Sequence, residues 1–127
     1  MSHGRHVNLE RALVATSNDP RAPRAAVEYV NALAPCYEWE GMPDCPEEEA
    51  IFAEKYQIEH PDGPFREVLP LFTARLWLCV AEFSETDTER SARARQAYGK
   101  HISVALKSTS LLLRTAAEGL HARNRCY

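Results

Sequence analysis

The sequence lacks the closely spaced cysteine pairs of zinc and redox sites. Cys36, Cys45, Cys79 and Cys126 stand apart, and Cys79 lies in an apolar run where a thiol behaves as a small hydrophobe. A disulfide framework is therefore not expected. Glycine is scarce, five residues in 127, and none builds a phosphate-cradling loop. The longest apolar run, Val68 to Phe83, is too short to cross a bilayer and contains Pro70, Arg75 and Glu82, so no membrane association is expected. There is no excess of positive charge: the net charge is −3, which removes bulk attraction to nucleic acid or anionic lipid. The polar opening Met-Ser-His-Gly-Arg-His has no apolar core of a secretory signal, and the cytoplasm is the compartment expected. Internal repeats and low-complexity tracts are also missing.

What is present is helical spacing. At 127 residues with 45% hydrophobic and 26% charged side chains, the chain suits one domain with its own core. Leu9, Ala12 and Leu13 give a first helix over Val7 to Thr16. Asn18-Asp19-Pro20 then opens a second with Ala26, Tyr29, Val30 and Leu33. Pro35 to Pro46 reads as a loop. Asp44 with Glu47 has the spacing of a capping box before a third helix to about Ile58. The fourth, Phe65 to Phe83, is apolar nearly all round and should be the buried centre, with Pro70 either kinking it or lying in its opening turn.

The last segment, Asp87 to Leu120, opens with Thr86 and Glu89 at capping-box spacing. It carries Tyr98, Ile102, Ala105, Thr109, Leu112 and Ala116 at steps of four and three. Unbroken, it would run about 50 Å, against a radius of gyration of about 14 Å for a compact domain of this length. Either it breaks, with Gly99 the preferred point, or it projects and a partner covers it. The fold expected is all-α: a single-domain bundle of four to five helices with a long C-terminal helix.

Charge is segregated. Nine acidic residues between Glu38 and Asp62 face Lys55 alone, and from Arg90 onward eight basic residues face Glu118 alone. On a continuous helix Arg93, Lys100, Lys107 and Arg114, seven apart, form a basic stripe that could bind phosphates or an acidic protein. A solvated face is the plainer account. Arg75 and Glu82 share one face of the apolar fourth helix with Cys79 between them. Buried charges need partners and cluster at functional sites, although a structural ion pair explains them as well.

Arg95 and His101 are an arginine and a histidine with five residues between them. This spacing resembles the signature of HEPN nucleases. The resemblance covers seven residues and implies metal-independent RNA cleavage, with Arg95 contacting the transition state and His101 moving protons across a dimer interface. Arg114 with His121 also satisfies the spacing, and on an unbroken helix Arg95 and His101 point about 120° apart. Metal is not expected, since Glu118 and His121 make one Glu-x-x-His step where a di-metal bundle needs two; no cofactor is expected either. The first reading is a non-catalytic interaction or regulatory bundle, a homo-oligomer paired through apolar surface on its last two helices. The alternatives are the HEPN-like ribonuclease and nucleic-acid binding through the stripe.

Overall fold

The computed structural model describes residues 42–63, 65–84 and 86–126. The two helices expected before Pro35, and Cys36, lie outside these residues. Four helices follow one another: α1 (Asp44–Glu59), α2 (Val68–Glu82), α3 (Thr88–Ala105) and α4 (Leu111–Arg123). The all-α bundle read from the sequence is the fold found.

Eleven of the fifteen residues of α2 are buried, so this helix is the centre on which the others lie. Pro70 occupies its first turn, where the missing N–H breaks no helical hydrogen bond. Phe65 joins Val68, Leu69, Phe72 and Leu76 in a core shared with Ala50, Ala53 and Tyr56 of α1 and Leu113 of α4. Ala74 and Leu78 pack instead with Tyr98, Ile102 and Ala105 of α3 and with Ala117 and Leu120 of α4. Trp77 touches both groups and a third formed by Val80, Ala81 and Ala94.

Polar contacts fix the directions. Gln57, late in α1, donates to the Thr73 hydroxyl early in α2 at 2.9 Å, so these helices are antiparallel. The hydroxyl of Ser91, at the start of α3, reaches the Ala81 carbonyl near the end of α2. The α1 and α3 helices therefore run the same way, side by side on α2. Their starts are tied by Arg90, which binds Asp44 at 2.7 Å and Glu47 at 2.8 Å. These bonds, the one to Asp44 foremost, push the guanidinium pKa further up. The capping box expected at Asp44 is not made: α1 begins one residue earlier than that motif needs, its N-cap is Pro43, and no side chain caps it. Likewise Asp87, not Thr86, caps α3, its side chain accepting from the Arg90 amide.

The terminal run divides, but not at Gly99, which lies inside an unbroken α3. The break falls at Leu106 to Ser110, where hydroxyls compete with the helical ladder for backbone groups. The Ser108 hydroxyl accepts from the Ser110 amide, and Ser110 caps α4 by accepting from the Leu113 amide. One oxygen of Glu67 takes the Ser108 hydroxyl and both the amide and hydroxyl of Thr109. Thr109 above all holds the Glu67 carboxyl below its ordinary range. The turn is thus pinned to the segment that precedes α2, and α4 folds back antiparallel to α3.

A Cβ added at Gly99 would meet nothing within 4 Å. Gly99→Ala should therefore stabilise the protein by about 0.5–1 kcal/mol, the helix-propensity difference, read as a higher urea midpoint; a loss of stability would contradict a continuous α3.

Candidate functional site

Between α1 and α3, above Trp77, lies a groove of about 330 Å³ lined by Glu54, Gln57, Ile58, Lys100, His101 and Val104. Its volume falls in the range of small-molecule sites. The polar centre follows from burying a tryptophan. An indole N–H placed in a core needs an acceptor, and Trp77 Nε1 donates to Glu54 Oε2 at 2.9 Å. The same oxygen meets His101 Nε2 at 2.7 Å. The His101 side chain is 10% exposed and that of Glu54 30%. Facing a carboxylate, Nε2 carries the proton, which leaves Nδ1 with the lone pair in the neutral ring. Gln57 is held by donating to the Ala53 carbonyl and to Thr73. Ile58 and Val104 form an apolar rim, 80% and 55% exposed. The groove can hold an apolar group beside a hydrogen-bonding one. Among the described residues no serine, threonine or cysteine lines it.

Of the residues singled out in the sequence, His101 and Lys100 line this groove, and Arg95 does not. Arg95 Nη1 donates to Asn124 Oδ1 at 3.0 Å, on the side facing the end of α4. Because α3 is unbroken, Arg95 and His101 meet different neighbours and do not converge within one chain. The basic stripe is also divided. Arg93 lies on α3, 4.0 Å from Glu89. Lys107 is in the turn, and Arg114 sits on α4 with its guanidinium on the Ser108 carbonyl. The stripe required a continuous helix, and the helix ends before Lys107. His121 stands 3.4 Å from the Tyr98 hydroxyl, and among the described residues no three metal-ligating side chains gather.

Arg75 and Glu82 do converge, on a backbone segment. Arg75 Nε donates to the Cys126 carbonyl at 3.3 Å, and Glu82 Oε2 accepts from the Cys126 amide at 2.8 Å. Between them Cys79 is disulfide-bonded to Cys126, both residues fully buried. Cys45 is disulfide-bonded too. The expectation that disulfides are absent is thus wrong. Sequence spacing cannot reveal a bond whose ends are 47 residues apart and meet only after the helices pack. The paired charges on α2 are explained by the same contact: they clasp the chain end onto the central helix.

Sequence reasoning missed Glu54, Gln57 and Trp77. The usable signal was Trp77 itself, whose N–H in a buried helix demanded an acceptor from a neighbour. Comparison with family models, with curated proteins and with solved structures found no match.

Glu54→Ala strands the Trp77 N–H and one His101 nitrogen, and should cost about 1–3 kcal/mol with a shift in tryptophan emission; an unchanged unfolding midpoint would show that the carboxylate bridges nothing. Replacing Cys79 and Cys126 together by alanine should cost about 2–4 kcal/mol. Reductant should lower the stability of the wild type toward that of the variant, and equal wild-type stability with and without reductant would contradict the clasp.

Proposed function

We propose that this chain is a non-catalytic interaction protein that pairs with a second copy of itself through the outer face of α4 and the adjoining end of α3. The observation that carries the reading is the exposure of Leu111 and Leu112, 69% and 66%, at the start of α4. That helix buries a narrow strip, Leu113, Ala117 and Leu120. Beside it Leu112, Thr115, Ala116 and Gly119 are exposed at steps of three and four, so they share one face, uncharged up to Arg123 at its far end. A Cβ on Gly119 would meet nothing within 4 Å, which leaves room for close helix approach. Val104, on the rim of the α1–α3 groove, is a separate exposed apolar side chain near the end of α3. Isolated surface leucines are ordinary, but contiguous ones mark association surfaces, and two-fold pairing is the commonest way to cover them.

Other readings have less support. RNA cleavage by Arg95 and His101 would need the two to act from faces about 120° apart, with Nε2 of His101 already engaged by Glu54. Nucleic-acid binding along Arg93, Lys100, Lys107 and Arg114 would need a straight stripe. As to compartment, no helix among the described residues is long and apolar enough to cross a membrane. The Cys79–Cys126 bond favours an oxidising environment over the cytoplasm, where such bonds are rare.

Sedimentation velocity at micromolar concentration should give a dimer for the wild type and a monomer for Leu111→Glu/Leu112→Glu. Helical content should be unchanged, since neither side chain is in the core. A wild type that remains monomeric over that range rejects the reading.

A further inference from the structure

The end of α4 brings basic groups from two helices around one phenol. His121 Nδ1 lies 3.4 Å from the Tyr98 hydroxyl. Tyr98 is buried, which raises its pKa, while the charges of Arg95 on α3 and Arg123 on α4 act on the phenol in the opposite sense. Arg95 spends one donor on the Asn124 side-chain oxygen, and Arg123 spends Nε on the Arg125 carbonyl. Both acceptors are neutral. Among the described residues neither arginine nor His121 forms an ion pair, in contrast to Arg90 and Arg93. The nearby carboxylate of Glu82 is occupied by the Cys126 amide.

The negative end of the α4 dipole accounts for Arg123 and His121. It does not account for Arg95, which comes from another helix. The turn is also built rather than frayed. Asn124 takes the left-handed conformation with φ 53°, and Cys126 two residues on is held through its sulfur, its amide and its carbonyl. Such anchoring fixes donors in place before a ligand arrives.

We propose that Arg95, His121 and Arg123, arranged around the Tyr98 hydroxyl, form a binding site for a phosphoryl group. Two guanidiniums, an imidazole and a phenol offer more donors, from more directions, than the two oxygens of a carboxylate can use, whereas a phosphoryl group presents three or four. The site is distinct from the interrupted stripe of Arg93, Lys100, Lys107 and Arg114. It is also compatible with a net charge of −3, because the positive potential is local.

The test is a nuclear magnetic resonance titration of the oxidised full chain, observing arginine Nε–H and backbone amides. Inorganic phosphate is one probe, and a short single-stranded oligoribonucleotide is the other. Saturable shifts at Arg95, His121 and Arg123 support the site. Saturation by phosphate alone assigns it to a free phosphoryl ligand, and saturation by the oligonucleotide alone assigns it to backbone phosphate. Arg95→Ala/Arg123→Ala should weaken binding by at least about tenfold, the effect of losing hydrogen bonds between charged groups. Arg93→Ala, an exposed arginine on the same helix, should leave it unchanged. The proposal fails if neither probe produces saturable shifts there, if the double variant binds as tightly as the wild type, or if Arg93→Ala weakens binding equally.

Discussion

An amphipathic helix can leave one side in water; α2 cannot, and the rest of the structure answers that constraint. Its buried apolar side chains, among them Val68, Phe72, Val80, Ala74 and Leu78, point to nearly every side, so each flank must be covered by something apolar. The α1 helix covers one flank with Ala50, Ala53 and Tyr56, and α3 another with Ala94, Tyr98 and Ile102. The α4 helix closes the remainder with Leu113, Ala117 and Leu120. The small residues of the covering helices let them lie close to a bulky centre, which is how a short bundle reaches interior packing density. Cys126 completes the cover, bonded to Cys79 in the last turn of α2.

The polar groups that this burial traps organise the surface features. Thr73, fully buried, gives its hydroxyl proton to the Leu69 carbonyl and receives one from Gln57. Trp77 hands its N–H to Glu54, and Glu54 in turn engages His101. Buried polar atoms satisfied in chains of this kind specify one arrangement of neighbouring helices, because every alternative leaves a donor stranded. The groove between α1 and α3 is a by-product: the helices are tied by Arg90 at their starts and by Glu54 and His101 further along, and beyond that point Ile58 and Val104 face solvent.

Periodicity made much of this legible, and long-range chemistry much less. The central role of Val68 to Phe83 could be read because little polar arc interrupts it, Arg75 and Glu82 on one face excepted. The helical character of the terminal third could be read from Tyr98, Ile102 and Ala105. Its break could not, because Thr109 fits the apolar spacing while its hydroxyl and amide are bound by Glu67 forty-two residues earlier. Gly99 drew attention as a weak helix former, yet a helix docked on α2 through Tyr98 and Ile102 tolerates one glycine. Asp44 and Glu47 have capping-box spacing but answer Arg90, forty-six and forty-three residues away. Arg75 and Glu82 stood out correctly as charges needing partners, although the partner, the backbone of Cys126, carries no sequence signature. Glu54 was invisible for the opposite reason, being one carboxylate in a run of nine.

Apolar enclosure also ranks the helices by how readily they open. The α4 helix is covered on one narrow strip and α2 on most of its circumference, so their amides should exchange through different openings. Native-state hydrogen exchange resolves this directly. The account predicts that amides of Ala74 to Val80 exchange most slowly, through global unfolding, and that those of Thr115 to Ala122 exchange through smaller openings. Exchange from α2 as fast as from α4 would contradict a fold built around a buried central helix.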